Sequence, residues 1–322
     1  QAGDRGNGFP PNPAARRVFC ARPMPVRGPR LSGCGAPRVR GRRSIGRMRP
    51  VLPRRPRSLL PGLALALALT GLLGACATRP ADVTALLNRL GPTPLLLVGE
   101  QHDAPAHQAL QRDLVQALAA EGRLAAVVME MVEAGHQTDG LARDADEASV
   151  RRALGWSGDD GWPWATYRPV VMAAVAAGVP VGGGNLPRRD MRAAMGDAAL
   201  DATVPAAALA MQREAIRTGL CDLLPAGQLG PMARIQLARD RSLARVAEQR
   251  LAGGRTVLLI AGNGHVRTDV GVPLHLQPGQ PHRVIVARAG EAGSGVPADA
   301  FWDTPALPPQ DHCAALRAQF KR

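Results

Sequence analysis

The sequence predicts an α/β fold: a mostly parallel sheet flanked by helices, with a smaller helical subdomain beside the site. Three apolar runs of strand length, at 95–98, 125–129 and 257–261, carry no polar residue on either face, which is typical of strands buried between two layers of helices. Helical patterns separate these runs, and the alternation of strand and helix indicates a doubly wound sheet.

The net charge does not indicate a nucleic-acid-binding protein. The chain has 322 residues and a formal charge of +14, but residues 1–57 contain 15 arginines and a single acidic residue, which account for all of it. The remaining sequence has equal numbers of basic and acidic residues. No basic face is left for phosphate, so we expect no nucleic-acid partner.

The beginning of the chain has the composition of a leader. Residues 1–47 are rich in Arg, Gly and Pro without apolar periodicity, and we predict that they are disordered and lie upstream of the true start at Met48. Met24 is the alternative start, and a genuine basic arm is the other interpretation. Residues 48–75 have the form of a secretion signal, in which arginines precede a short apolar core at Leu59–Leu73.

Residues 73–76 resemble the lipobox of bacterial lipoproteins, which implies that Cys76 is lipidated, for example by palmitate, and becomes the mature N-terminus. Ala77 after it resembles lipoproteins that are sent to the outer membrane. We therefore expect a lipid-anchored protein of the bacterial cell envelope, with residues 76–94 as a linker.

The main domain is predicted over residues 95–322. After the strand at 95–98, Pro105 begins a helix that extends to about Ala120, and the strand at 125–129 follows. The later elements are predicted in this order: helix 144–154, helix Pro169–Ala177, strand Val179–Gly182, helices 187–197, 204–218 and 231–252, strand 256–261, a short segment Val272–Leu276 and a final strand His282–Ala287. The helices at about 200–252 form an excursion beside the sheet.

Carboxylates and imidazoles follow all three core strands: Glu100 and His102 the first, Glu130 the second and His265 the third. Proteins with an open parallel sheet bind their ligands beyond the carboxyl ends of the strands. We therefore expect these four side chains to share one site. They are candidate metal ligands or acid/base groups. The alternative is that the glutamates are paired with arginines or helix amides and that the histidines are structural.

The loop at 155–167 is the second candidate feature, because it holds three of the four tryptophans and Tyr167, the only tyrosine. In a chain with 3% aromatic residues, this concentration predicts either the core of a lid or a platform for a flat ligand. Outside the leader and Cys76, the cysteines are Cys221 and Cys313. We predict that they form a disulfide in the oxidising envelope, with thiolate ligation of a metal or haem as the alternative.

Three motifs together resemble the ChaN-type haem-binding lipoproteins of the Tiki superfamily: Gly99–Asp103, Met129–Met131 and Ala261–Arg267. The resemblance covers nearly everything after Cys76, with further matching stretches at 162–169, 221–240, 269–273 and 301–302. It implies a surface-tethered protein that binds haem for iron acquisition, by capture and without turnover. It also implies a homodimer around two stacked haems and an outer-membrane haem or iron receptor as a partner.

The resemblance also suggests roles for individual residues. Tyr167 is the predicted axial ligand of the haem iron, because tyrosinate is a known haem ligand; the alternative is a buried tyrosine whose hydroxyl is bonded to a backbone group. The other predicted contacts of haem are His102, His265, Trp164 and, for its propionates, Arg168, with Arg188, Arg189 and Arg267 as further candidates.

The competing hypothesis is a metal-dependent hydrolase, a peptidase or esterase of the Tiki type. In it, a divalent metal ion held by Glu100, His102, Glu130 and His265 activates water. A third hypothesis is an envelope-associated binding module that has neither activity.

Overall fold

The computed structural model describes residues 82–157, 161–290 and 296–320. The predicted leader, the signal peptide and the lipidation site at Cys76 lie outside these residues. Within the described ranges, no helix combines the length and the apolar character that are needed to cross a membrane.

The fold is α/β, and the predicted parallel sheet is confirmed. Among the described residues, six parallel strands lie in the spatial order β3-β2-β4-β1-β5-β6. Their bounds are β1 Leu95–Glu100, β2 Leu124–Glu133, β3 Val181–Asn185, β4 Thr256–Gly262, β5 Arg283–Ala289 and β6 Ala300–Thr304. All residues of β1, which lies between β4 and β5, are buried, so the centre of the sheet is also the centre of the core.

Helices cover both faces of the sheet, which explains the continuous apolar runs of its strands. Leu96 and Val98 of β1 pack into a cluster with α1, α2 and α4, whereas Leu95 and Leu97 pack into a second cluster with α7. The helices are α1 Val83–Leu90, α2 Pro105–Ala120, α3 Glu147–Ala153, α4 Trp164–Ala176, α5 Met191–Gly196, α6 Ala206–Gly219, α7 Ala226–Gln249, α8 Asn263–Val266 and α9 His312–Phe320. Short 3-10 helices occur at Arg188–Asp190, Ala198–Ala202 and Val272–His275.

The smaller helical part consists of α5, α6 and the first half of α7, which form apolar clusters of their own around Leu237 and Ile235. The turn between α6 and α7 is linked to the C-terminal helix α9 by the predicted disulfide. Cys221 and Cys313 are joined by a sulfur–sulfur bond of 2.04 Å, with 5.7 Å between their Cα atoms. Cys221 and Asp222 both have positive φ in this turn, with values of 54° and 57°.

Two helix starts and one strand are among the differences from the prediction. Helix α4 begins at Trp164 and α7 at Ala226, so Pro169 and Pro231 lie inside helices that they were expected to precede or to begin. In both cases an earlier proline, Pro163 or Pro225, takes the extended N-cap position and starts the helix. The strand that was predicted to be final is followed by β6, an edge strand with only Ala300 fully buried, which therefore lacks the apolar run of a core strand.

Candidate functional site

The four strand-end residues lie together at the carboxyl edge of the sheet. The parallel register of β1 and β4 places Glu100 beside Gly262, and His265 follows in α8. Gly262 is flanked by two of the candidate side chains: a Cβ atom at this position would lie 2.9 Å from His102 Nε2 and 3.6 Å from Glu130 Oε2. The structure thus brings Glu100, His102, Glu130 and His265 into one cluster.

Glu100 is the buried centre of the first half of this cluster. Its Oε1 accepts a hydrogen bond from the Tyr167 hydroxyl at 2.5 Å and lies 2.7 Å from His102 Nδ1. Its Oε2 accepts from the side-chain amides of Gln108, at 2.8 Å, and Gln111, both in α2. Both carboxylate oxygens are therefore already engaged, which makes the burial of this acid tolerable and leaves little capacity for a further ligand.

Tyr167 lies behind this carboxylate and is not open to a ligand. Only 1% of its surface is exposed. Burial, together with the charge of Glu100, raises the pKa of Tyr167 far above its usual range. The iron-ligating tyrosinate predicted from the sequence would place a second negative charge beside Glu100, so that role requires Tyr167 to leave the position described here.

His102 is the open member of the cluster, with 41% of its side chain exposed. Its ring meets the edge of the Trp162 indole, with 4.7 Å between the centroids. Glu100 holds Nδ1, and Nε2 makes no hydrogen bond with any described residue. Burial of the ring opposes protonation, but the hydrogen bond that Glu100 accepts from the ring and the charge of Glu130 outweigh it, so the pKa of His102 is raised. Nε2 is therefore the ring nitrogen of His102 that is not already used by the described residues.

The second half of the cluster is a buried imidazole between two carboxylates. His265 Nδ1 lies 2.6 Å from Asp240 Oδ1, and His265 Nε2 lies 3.4 Å from Glu130 Oε1. Glu130 Oε2 also accepts the backbone N–H of Gly262 at 2.8 Å. Burial alone would lower the pKa of His265, but the charges of Glu130 and Asp240 raise it to about 10. His265 is therefore an imidazolium at neutral pH.

The pKa values of the two carboxylates beside His265 are shifted in opposite directions. The pKa of Asp240 is raised to about 6, because burial outweighs the attraction of His265. The pKa of Glu130 is lowered well below its usual range: burial opposes this, but the charge of His265 and its hydrogen bond dominate. Asp240 was not predicted from the sequence, although its position on the buried face of α7, three residues after Leu237 and four before Ala244, is a signal that could have found it.

The aromatic residues of the predicted loop form a packed cluster and not a flat open surface. Trp156 contacts both Trp164, at 5.2 Å between centroids, and Tyr167, at 5.9 Å. The Trp156 indole N–H donates to the carbonyl of Trp162 at 2.8 Å. The Trp164 indole N–H donates to Glu147 Oε2 at 3.0 Å. Trp162 alone of these three meets the open imidazole of His102.

The arginines predicted to hold propionates have carboxylate neighbours within the protein. Arg168 pairs with Glu147, and Arg267 pairs with Asp269 through two bonds of 2.9 and 2.7 Å. Looser pairs join Arg188 to Glu133, at 3.7 Å, and Arg189 to Asp190, at 3.9 Å. A bound propionate would compete with these acids.

The divalent metal centre of the competing hypothesis does not match the arrangement of these side chains. Within the part of the chain that the structure describes, no three His, Cys, Asp or Glu side chains are grouped so as to hold a metal ion. Both oxygens of Glu100 and the Nδ1 atoms of both histidines are used in contacts within the cluster.

Residues 86–276 match the model of a family described as haem-binding uptake, Tiki superfamily, ChaN. Among solved structures, the chain is similar to the cofacial haem-binding ChaN of Campylobacter jejuni, with 23% identity and a TM-score of 0.57 over 66% of this chain and 88% of that chain.

Two other solved structures give lower scores. The type III effector HopBA1 has 16% identity and a TM-score of 0.34 over 66% of this chain and 88% of that chain. A protein from Bacillus cereus has 14% identity and a TM-score of 0.32 over 67% of this chain and 71% of that chain. No curated protein matches the chain.

Proposed function

The chain belongs to the haem-binding uptake family of the Tiki superfamily, ChaN, and from this membership and the cluster geometry we propose that it binds haem for iron acquisition in the bacterial cell envelope. The observation that carries the proposal is His102, an exposed imidazole whose Nδ1 is fixed by a buried glutamate and whose Nε2 has no partner among the described residues. A histidine that ligates a metal commonly has its other ring nitrogen held by a carboxylate in this way.

The residues fit haem through His102 and Trp162 and do not fit it through Tyr167. If haem binds, His102 would hold its iron, for which imidazole nitrogen is a common ligand. Glu100 orients His102 and increases the basicity of its ring, while Tyr167, Gln108 and Gln111 keep Glu100 in place. Trp162 adds an apolar surface beside the ring. Tyr167 is thus a positioning residue in this proposal.

His102 lies at the surface and not inside an enclosed pocket. This position is compatible with haem held between two copies of the chain. The C. jejuni ChaN binds haem cofacially. We propose the same homodimeric arrangement here, with an outer-membrane haem or iron receptor as a partner. The lipobox-like residues before Cys76 support attachment to the outer membrane by a lipid anchor.

Titration of the purified protein with hemin, followed by its visible spectrum, tests the proposal. We expect a saturable Soret shift that His102→Ala weakens by at least about tenfold, which corresponds to the loss of 1.4 kcal/mol or more in binding free energy. Tyr167→Phe keeps the ring and removes the buried hydroxyl, so the spectrum of bound haem should be unchanged. His312→Ala, at an exposed histidine remote in sequence from the cluster, is the control.

Three results would count against this assignment. The absence of any Soret shift in the wild-type protein would contradict haem binding itself. Loss of the shift in Tyr167→Phe but not in His102→Ala would restore tyrosinate as the iron ligand. Equal losses in His102→Ala and His312→Ala would mean that hemin associates non-specifically.

A second candidate function, hydrolysis of an ester or peptide, is favoured by one observation. Asp240, His265 and Glu130 form a buried acid–imidazole–acid chain that haem capture does not need. Metal analysis of freshly purified protein and assays with chromogenic esters and peptides test this candidate. Turnover that Glu130→Gln abolishes, while the hemin spectrum is retained, would support it; absence of turnover in the wild-type protein would dismiss it.

A further inference from the structure

A groove with a volume of about 1000 Å³ lies between the second half of α7, helix α5 and the chain segment 134–137 beside β3. Its size is at the upper end of the range for small-molecule pockets, about 300–1,000 Å³. Its walls contain none of the residues of the cluster at Glu100 and His265. The groove is therefore a second concave surface that haem capture leaves without a role.

Two arginines of the groove are exposed and have no acidic partner. Arg241 and Arg245 lie one helical turn apart on α7, and neither forms an ion pair or a hydrogen bond with the described residues. The other arginines of this groove are engaged: Arg250 bonds to Asp139 at 2.6 Å, and Arg189 lies 3.9 Å from Asp190. Two neighbouring guanidinium groups without an ion-pair partner among the described residues therefore line this space.

Among the described residues, no acidic side chain of the groove forms an ion pair with Arg241 or Arg245. Asp190 faces Arg189, Asp197 accepts the backbone N–H of Ala199 at 3.0 Å, and Glu248 accepts the backbone N–H of Gln277 at 2.7 Å. The charge of Arg241 also acts on His275, a further lining residue. Burial is the larger cause and the charge of Arg241 the smaller one, and together they lower the pKa of His275 to about 4, so this imidazole is neutral.

The floor of the groove contains buried polar atoms without partners. Ser242 lies between the two arginines in sequence and is only 7% exposed, and its Oγ makes no hydrogen bond within the protein. The Nε2 atom of the neutral His275 is likewise buried and unpaired. Buried polar groups in proteins are nearly always hydrogen-bonded, so these two atoms indicate that a water molecule or a ligand completes the floor.

We propose that this groove binds a small molecule that carries two neighbouring oxyanion groups. Side chains one turn apart on a helix have Cβ atoms about 5–6 Å apart, and two long arginine side chains starting from there can converge on adjacent groups. Arg241 and Arg245 hold one group each, since the planar guanidinium matches the two oxygens of a carboxylate or phosphate. The hydroxyl of Ser242 and the imidazole of His275 supply uncharged hydrogen bonds at the floor. Diphosphates and short dicarboxylates both have this chemistry.

Isothermal titration of the purified chain with pyrophosphate and, separately, with succinate tests the proposal. We expect saturable binding of at least one of the two, and the stronger one identifies the chemical source of the oxyanions. The double variant R241Q/R245Q should weaken it at least about tenfold, because the ligand loses its charge-assisted hydrogen bonds to both arginines. High salt should weaken it as well.

The charge-matched control is R89Q/R317Q, which removes two exposed arginines that do not line the groove and should leave the affinity unchanged. Circular dichroism checks that all variants are folded, and all four positions are on the surface. The proposal is overturned if neither anion binds, or if the two double variants weaken binding equally. It is also overturned if R241Q/R245Q abolishes the hemin spectrum instead, because the groove would then belong to the haem site.

Discussion

Glu100 determines how the single residues of the site behave, because it sets the orientation of both His102 and Tyr167. It is buried at the end of β1, and four side chains direct donors to its two oxygens. The Tyr167 hydroxyl cannot ionise easily in this position, whereas the His102 ring keeps Nε2 without a hydrogen-bond partner among the described residues. The chemistry that is available at the surface is therefore that of an imidazole.

His265 is the residue whose charge state should control stability against pH. Its folded pKa of about 10 is above its ordinary value of about 6.5. A raised pKa means that the imidazolium stabilises the fold fully below about pH 6.5 and that this contribution is lost as the pH rises towards about 10. Asp240, with its raised pKa of about 6, also favours the folded state at lower pH.

The prediction is that the free energy of unfolding in urea falls between pH 7 and pH 10 in the wild-type protein. His265→Gln should lower it by about 3–5 kcal/mol at pH 6, because two buried carboxylates lose their counter-charge. The variant should then show little further change from pH 7 to pH 10. An equal decline in both proteins would show that another group titrates.

At the scale of elements, the edge of the sheet depends on close contact between β2 and β3. A Cβ atom on Gly183 would lie 2.0 Å from the carbonyl oxygen of Glu133, at the end of β2. The neighbouring Gly182 has only the flexible end of Arg250 nearby, at 3.5 Å. The two glycines therefore differ in what they allow, although they are adjacent in sequence.

We predict that Gly183→Ala destabilises the protein by about 1–3 kcal/mol, the usual cost of overpacking, because the backbone of β2 must move. Gly182→Ala meets an ordinary contact and should be near neutral. Urea denaturation of the two variants provides the comparison. Equal stabilities would mean that β2 and β3 can separate without cost.

The core elements could be predicted from the sequence because burial on both faces requires uninterrupted apolar runs, as in β1 and β4. β6 could not, since it exposes Phe301 and Asp303 and has no such run. The predicted start of α4 was wrong because the sequence has two prolines at which a helix could begin. Only the packed structure shows that Pro163 is the N-cap and that Pro169 lies within the helix.

The same distinction applies to the site. Residues that directly follow core strands, such as Glu100 and His265, could be predicted because parallel strands end at one edge of the sheet. Gln108, Gln111 and Asp240 lie inside helices, and their contact with the cluster depends on how α2 and α7 pack on the sheet. The burial of Tyr167 followed from packing as well, because the spacing of aromatic residues does not distinguish a platform from a core.

At the scale of the whole molecule, the disulfide joins parts of the chain that are 92 residues apart. It attaches α9 to the turn between α6 and α7, and Leu316 of α9 is buried in the apolar cluster of that region. A covalent link, a small hydrophobic contact and the hydrogen bond between His312 and the carbonyl of Gly219 therefore all hold α9 against this region.

We predict that Cys221→Ser together with Cys313→Ser lowers the free energy of unfolding by about 2–4 kcal/mol, the usual contribution of a disulfide. Loss of the link should also increase hydrogen exchange in α9 while β1 and β4 stay protected, because the sheet does not contact the disulfide. Reductant should reproduce both effects in the wild-type protein. A stability that is insensitive to reductant would contradict this role.

The crowding of Trp156, Trp162 and Trp164 around Tyr167 gives the protein an optical property. These are three of its four tryptophans, so most of its ultraviolet emission originates within one small volume next to His102. A porphyrin absorbs strongly at the wavelengths where indoles emit. Energy transfer to the porphyrin therefore quenches tryptophan fluorescence over distances much longer than a van der Waals contact. Occupation of that edge of the sheet can thus be followed by intrinsic fluorescence, without any attached dye.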